Sequence, residues 1–310
     1  MAQKASGRYF AGKHCFVTGA ASGIGRATAL RLAAQGAVLF LTDRYHDGLE
    51  RTVADARALG ARVPEYRALD IANHHEVAAF AADIHSRHPS MDVVLNIAGV
   101  AVWGTVDRLT HEQWSKVIAT NLMGPVHVIE TFVPAMVAAG RGGHLVNVSS
   151  AAGLVALPWH AAYCASKFGL LGMSEVLRFD LARQRIGVSV VVPGAVHTPL
   201  VNTVEIAGVD RDDPRVARWV NRFVGHAVSP EKAADKILAG VAKNRYLIYT
   251  SADIWALYAF KRWAWWPYSV AMRQVSALFT RVLRPSPPPL LRHGQFQTYS
   301  QQADRPVELE

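Results

Sequence analysis

Tyr163 and Lys167, in Tyr163-Cys164-Ala165-Ser166-Lys167, have the residue types and the spacing for proton transfer. Four positions apart on a helix, a phenol and an ammonium lie side by side. A phenol with a reference pKa of about 10 is a poor base at neutral pH, and an adjacent cation favours its phenolate and lowers that value. The same pair also occurs on ordinary half-exposed helix faces, so its meaning rests on the segments that precede it.

One of these is a glycine-rich turn, Thr18-Gly19-Ala20-Ala21-Ser22-Gly23-Ile24-Gly25, between an apolar run at 14–17 and a helical pattern at 24–35 that Gly36 stops. In a strand, turn, helix setting Gly19 permits the tight turn and Gly23 lets the backbone approach a pyrophosphate. Gly25 packs helix on strand, and the helix N-terminus favours the anion. Residues 37–42 then read as a second buried strand ending in Asp43, where an acidic residue about 20 positions after the glycines reads a ribose hydroxyl. Asp43 suits an unphosphorylated ribose and repels a 2′-phosphate, which favours NAD. Arg44 pulls the other way, because a guanidinium turned inward binds that phosphate, while Ser22 adds no further cation. NAD is the expected cofactor and NADP the alternative.

Strand-like runs at 14–17, 38–42, 63–68, 92–96, 144–149, 187–192 and 246–250 alternate with helical patterns. Such alternation predicts an α/β fold: a Rossmann-like, doubly wound parallel sheet of about seven strands with helices on both faces. Ligands then sit at the strand C-terminal ends, where Gly19, Asp43, Asn96, Ser150 and Pro193 fall. Ser229-Pro230 supplies a helix start, with Ser as cap and Pro at the first helical position.

With those residues in place, the sequence resembles the short-chain dehydrogenase/reductase family over roughly residues 12–250. Asp70 in Leu69-Asp70-Ile71 matches the family's adenine-contacting aspartate, and Asn96-Ile97-Ala98-Gly99 its Asn-x-Ala-Gly segment supporting the central strand. Asn121 in Thr120-Asn121-Leu122-Met123-Gly124 matches the helix asparagine that holds a water for proton relay. Ser150, rather than Ser149, matches the active serine, heading Ser150-Ala151-Ala152-Gly153 thirteen residues before Tyr163. Pro193-Gly194-Ala195-Val196-His197-Thr198 matches the segment that meets the nicotinamide. The resemblance implies catalytic Asn121, Ser150, Tyr163 and Lys167. It implies a cofactor site of Gly19, Ser22, Gly23, Ile24, Gly25, Asp43, Arg44, Asp70, Ile71, Asn96, Ala98, Gly99, Tyr163, Lys167, Pro193, Gly194, Val196 and Thr198. Such a set performs reversible hydride transfer between a carbinol carbon and the nicotinamide, with Tyr163 as acid or base and Ser150 on the substrate oxygen. Lys167 would lower the tyrosine pKa and hold the nicotinamide ribose. A nucleotide-binding scaffold or membrane-associated sensor without turnover is the competing class, and the intact set of four counts against it.

With 310 residues and 51% hydrophobic composition, the expectation is one catalytic domain at 12–250, a short extension at 1–11 and a tail at 251–310. Residues 199–228, with Asp210-Arg211-Asp212-Asp213, interrupt the sheet pattern and are expected to form a mobile lid over the substrate. The pocket is expected to use 100–103 and 154–160. Val102, Trp103, Leu157 and Trp159 there favour a lipophilic substrate, although both tryptophans also read as plain core.

Residues 254–303 contain no acidic side chain, while Lys261, Arg262, Arg273, Arg281, Arg284 and Arg292 carry most of the net +9 charge. Trp255, Tyr258, Trp263, Trp265 and Trp266 precede a helical run at 268–283, in which Met272, Val275, Phe279 and Val282 share a face. Two readings stand: an interfacial helix on an anionic membrane, or a tail packed over the active site or a partner subunit. Charges interrupt each apolar stretch before the roughly 20 residues that a bilayer crossing needs, and no nucleic-acid module is present. The prolines at 285–289 end the helix.

Two cysteines, Cys15 and Cys164, give no disulfide framework, and the polar N-terminus has no apolar leader. The expected setting is cytoplasmic, as a homo-oligomer, with peripheral membrane contact open. His74-His75-Glu76 lacks ligand spacing, so no metal is expected.

Overall fold

A computed structural model describes residues 9–209, 213, 214, 216, 218 and 227–283. Its strands are β1 (His14–Thr18), β2 (Val38–Asp43), β3 (Arg62–Ala68), β4 (Val93–Asn96), β5 (Val102–Trp103), β6 (Gly143–Val148), β7 (Ile186–Val192), β8 (Glu205–Ile206) and β9 (Leu247–Tyr249). Seven form one sheet in the order β3-β2-β1-β4-β6-β7-β9, and every pairing in it is parallel. The chain reverses its direction of travel across the sheet between β1 and β4, the topological switch outside which open α/β sheets bind ligands.

Helices α1 (Gly23–Ala34), α2 (His46–Ala58), α3 (His74–Arg87), α4 (His111–Ile118), α5 (Gly124–Ala139), α6 (Ala161–Asp180), α7 (Pro199–Thr203), α8 (Pro230–Ala242), α9 (Ala252–Trp263) and α10 (Trp265–Leu283) fill the connections. The starts follow local chemistry. Asn73 accepts two backbone N–H bonds at the head of α3, Thr110 and Gln113 form a capping box on α4, and Ser229 caps α8 ahead of Pro230. Each relieves orphan amides of a first turn.

Every residue of β2 is buried, as a strand covered on both faces requires. Leu32, Leu49, Val53, Ile237 and Val241 press on Val17, Leu39, Leu41 and Leu95 from one side. Phe80, Ile84, Phe132 and Met136 press on Phe16, Phe40, Val94 and Leu145 from the other. Phe16 and Phe132 stack with ring centres 4.2 Å apart. Helices α4 and α5 are joined through a π-helical turn, Ala119–Met123. The joined helix, His111–Ala139, is the one among the described residues long and apolar enough to cross a membrane by composition. Its Val117, Val128, Phe132 and Met136 are buried in the domain core.

The seven expected strands are present with ends displaced by a residue or so, but β5 and β8 were not foreseen. They form a separate parallel ribbon, Val102 opposite Glu205 and Trp103 opposite Ile206, so the start of the expected lid is tied to the pocket wall. Asp210, Arg211 and Asp212, the prolines of 285–289, Arg284 and Arg292 lie outside the described residues. The tail is two helices instead of one. The face carrying Met272 and Phe279, a candidate membrane face by sequence, packs inward: Met272 lies against the cluster of Val190, Val192 and Tyr268, and Phe279 against that of Trp159 and Leu283.

Candidate active site

One cavity of about 1680 Å³ runs along the C-terminal edge of the sheet from Asp43 to Leu257. At its first end, Gly19 and Gly23 hold φ of +71° and +53°, the left-handed region that glycine adopts without steric cost. A Cβ on Gly25 would collide with the Gly19 carbonyl, and one on Gly19 would stand 2.9 Å from the Ala98 backbone. Ser22 begins α1 in extended conformation with no side-chain cap, and no acidic residue occupies the first turn. The helix therefore opens on the cavity with its amides and positive dipole end free for an anion. Thr18 holds the opposite lip, its Oγ1 accepting the N–H groups of Ile97 and Ala98 at 2.9 and 3.1 Å.

Asp43, at the end of β2, is buried and lines the cavity. Its carboxylate accepts the Ala21 N–H at 2.9 Å and the Tyr45 N–H at 3.0 Å, which fixes it beside the glycine turn with lone pairs left for a sugar hydroxyl. Arg44 is exposed and directed to Tyr45, its guanidinium carbon 4.8 Å from the ring centre. Asp70 and Ile71 line the wall beyond β3, and Asp70 accepts the Ala72 N–H. Pro193, Gly194, Val196 and Thr198 line the far wall, where Gly194 donates to Thr250 Oγ1 at 3.3 Å. Asn96 is the exception. Its side chain lies off the cavity, buried and donating to Asn147 of β6 at 2.9 Å, while Ile97, Ala98 and Gly99, past the end of β4, line the ligand space.

Ser150, Tyr163 and Lys167 meet in the middle of the cavity. Ser150 lies beside the Tyr163 phenol and pulls its pKa down, but burial outweighs it and Tyr163 stands above the ordinary phenol range. Lys167 does not offset this, contrary to the expectation from spacing. Its Nζ lies 5.8 Å from the phenol ring centre and donates to the Val148 carbonyl at 3.0 Å. Burial drives its own pKa down to about 8, since a desolvated ammonium disfavours its charged form.

Asn121 stands behind the wall in the π-helical turn, fully buried. Its Oδ1 accepts the Val100 N–H at 2.8 Å, and its Nδ2 donates to the Val100 carbonyl at 2.9 Å and to Ser166 Oγ at 3.2 Å. A Cβ on Gly99 would meet Asn121 Oδ1 at 3.1 Å and Lys167 Nζ at 3.5 Å, so that glycine makes room for both polar heads.

Of the pocket segments, Val100, Ala101, Trp103, Val155, Leu157 and His160 line the cavity. Val102 and Trp159 belong to core clusters instead. Two contributions escaped sequence reasoning: Ser149 donates to the Lys167 carbonyl at 2.9 Å, and Ile254 and Leu257 close the substrate end from α9. His160, expected in the pocket wall, adds a polar group beside Tyr163. The His160 Nδ1 lies 2.6 Å from the Pro158 carbonyl, and burial lowers its pKa to about 4, which keeps it neutral. A serine doublet at a strand end hinted at the first of those two contributions, and the reading of a tail over the active site at the second, without naming its residues.

A glycine cradle that a Cβ would fill, an uncapped helix start and a fixed carboxylate on one cavity wall fit a dinucleotide. Together with the sheet they define an NAD(P)-dependent oxidoreductase, and the chain belongs to the family described as short chain dehydrogenase, which matches residues 13–207. A putative oxidoreductase of Mycobacterium tuberculosis (strain ATCC 25618 / H37Rv), SadH, is 38% identical over 238 residues, covering 76% of this chain and 85% of that protein. A short chain dehydrogenase/reductase from Burkholderia phymatum, solved in complex with NAD, matches with a TM-score of 0.75 at 30% identity, covering 82% of this chain and 94% of that one. A metagenomic short-chain oxidoreductase in complex with NADP matches with a TM-score of 0.62 at 31% identity, covering 77% and 96%.

Proposed function

We propose that this enzyme moves hydride between NAD(H) and a lipophilic secondary alcohol or ketone, with Tyr163 handling the hydroxyl proton. The observation that carries the reading is the meeting of Ser150, Tyr163 and Lys167 on the wall of one cavity, whose dinucleotide end holds Asp43 and whose other end is apolar. The amides of the glycine turn and of α1 would hold the pyrophosphate, Asp43 the adenosine ribose, Asp70 and Ile71 the adenine side, and Lys167 the nicotinamide ribose. The bound nicotinamide supplies or accepts the hydride. Ser150 orients the substrate oxygen and stabilises the charge that develops on it. Tyr163 donates a proton to that oxygen in reduction and removes one in oxidation. Asn121 acts one layer back, holding Val100 and Ser166 in place. Val155, Leu157, Ile254 and Leu257, with the Trp103 ring on the same wall, support an apolar substrate.

Asp43 favours NAD over NADP by its charge. An NADPH-linked carbonyl reductase is the second reading, favoured by exposed Arg44 on the rim of the same cavity. Titration of cofactor fluorescence with NADH and NADPH separates them, followed by turnover on a panel of steroid, retinoid and long-chain secondary alcohols. Tighter NADPH binding that survives Arg44→Ala would overturn the role given to Asp43, and turnover confined to charged substrates would overturn the lipophilic pocket. Exposed Val176 and Phe179 on α6 support a homo-oligomer, and two unpaired cysteines support a reducing, cytoplasmic setting.

A further inference from the structure

Helix α9 has two faces with different tasks. Ile254, Leu257, Tyr258 and Lys261, spaced i, i+3, i+4 and i+7, turn toward the domain. Ile254 is buried, and Leu257 shares with it the wall of the catalytic cavity. The Lys261 ammonium donates to the Leu154 carbonyl at 2.7 Å. Just beyond, Tyr268 of α10 is buried and donates to the Ala156 carbonyl at 3.0 Å. The helix pair is thus fastened to the catalytic domain through its inner side.

Its outer side carries what soluble surfaces avoid. Trp255, Phe260, Trp263, Trp265 and Trp266 are all exposed, Trp263 by 85% and Trp266 by 76%. Three of them sit within four residues at the elbow around Ala264, where α9 ends and α10 begins. Arg262 beside the elbow is exposed, as are Arg273 and Arg281 further along α10. No aspartate or glutamate occurs between 254 and 303. Exposed tryptophan with arginine and no carboxylate is the composition of a membrane boundary, where the indole sits among headgroups and the guanidinium meets lipid phosphate.

We propose that the α9–α10 elbow docks on an anionic lipid bilayer, with the tryptophans entering the headgroup layer and the arginines pairing with lipid phosphates. Charge selects this occupant over a second copy of the chain. A two-fold contact would place the same arginine-rich patch opposite itself, and the elbow has no carboxylate to relieve the repulsion. The docked helix is also the one that closes the catalytic cavity, so the cavity and the bilayer lie on opposite sides of a single helix. A lipophilic substrate of the kind proposed above would then be drawn from the membrane to which the enzyme is bound. Only this last consequence rests on the proposed reaction. Docking itself is read without turnover, so the two fail separately.

The test uses the full chain with phosphatidylcholine vesicles made with and without phosphatidylglycerol, reading co-sedimentation, the blue shift of tryptophan emission and its quenching by brominated acyl chains. The protein should bind the anionic vesicles and release them as salt rises, with little binding to phosphatidylcholine alone. Trp263→Ser/Trp265→Ser/Trp266→Ser should lower partitioning by about tenfold or more while NADH affinity stays unchanged, because none of the three lines the cavity. Should that variant fold poorly, Arg262→Glu/Arg273→Glu supplies the test at exposed positions and should abolish the preference for anionic vesicles. No binding of the wild-type protein to phosphatidylglycerol vesicles at low salt would overturn the proposal, as would binding that survives both variants. A mass in solution that the tryptophan substitutions halve, without vesicle binding, would assign the patch to a second copy.

Discussion

Lys167 Nζ stands 5.8 Å from the centre of the Tyr163 ring and donates to the Val148 carbonyl instead of the phenol. A cation at that distance that is itself desolvated does little to stabilise a phenolate. Burial therefore governs Tyr163 and raises its pKa. The proton sits on the tyrosine at neutral pH, so the site is poised to donate, as reduction requires.

A pH dependence follows. A base must be deprotonated to act, so kcat/KM for alcohol oxidation should climb by about tenfold per pH unit through neutrality, without a plateau below the ordinary phenol range. Ketone reduction should stay level over the same interval and fall only beyond it. Stopped-flow hydride transfer in both directions checks this; an oxidation plateau near neutrality would show that Lys167 lowers the phenol pKa once the dinucleotide is bound.

Lys167 gives a second prediction, on stability. Its pKa in the folded chain, about 8, lies below the reference value of 10.5, so the unfolded chain binds the extra proton more tightly. The drop corresponds to a penalty on the order of 3 kcal/mol near neutral pH. Lys167→Met removes it and loses the bond to Val148, which costs about 1 kcal/mol. The variant should be inactive yet more stable than the wild type by roughly 2 kcal/mol at pH 7 by that linkage. Its advantage should shrink as pH rises from about 8 to 10.5, the interval in which the wild-type lysine loses its charge in the fold first. Urea unfolding at a series of pH values measures both the sign and the window.

What the sequence disclosed and what it withheld divide along physical lines. Strand β2 was legible because burial on both faces leaves an uninterrupted apolar run, and the glycine turn because φ of +71° at Gly19 is a steric demand on residue type. The two-residue strands β5 and β8 are too short to show a period. The tail's periodicity was legible, but an apolar face looks the same whether protein or lipid covers it; only packing reveals that Met272 and Phe279 turn inward and the tryptophans outward. The spacing of Tyr163 and Lys167 was likewise legible, whereas the balance between charge and desolvation depends on how deeply the fold buries each group.

Asp43 should control the choice of cofactor. Its carboxylate is anchored by two backbone N–H groups, from Ala21 and Tyr45, so it cannot swing away from a phosphate placed beside it. Asp43→Ala removes that repulsion and the acceptor for the ribose hydroxyls together. NADH should weaken by about tenfold or more, matching the loss of a charged hydrogen bond of about 1.5–3 kcal/mol, while NADPH should tighten relative to it. Fluorescence titration of both cofactors reads the ratio, and an unchanged ratio would remove Asp43 from the ribose site.

Two glycines close in sequence should respond oppositely to alanine. A Cβ on Gly153 would collide with Ser149 Oγ and stand 2.8 Å from the Lys167 carbonyl, the two groups joined by the Ser149–Lys167 hydrogen bond of 2.9 Å. The strain has no flexible side chain to absorb it, so it must displace the turn carrying Ser150 or the turn of α6 carrying Lys167. Gly153→Ala should therefore cost about 1–3 kcal/mol of stability and lower kcat by about 10²-fold, the scale on which a misplacement of about 1 Å acts. NADH affinity should fall less, because the phosphate cradle is built on β1 and α1. Gly172, also on α6, has nothing within 4 Å of its absent Cβ. Gly172→Ala should leave turnover unchanged and raise stability by about 0.5–1 kcal/mol through the helix propensity of alanine. Thermal unfolding and single-turnover rates for the pair separate steric strain at the active site from a general intolerance of glycine replacement.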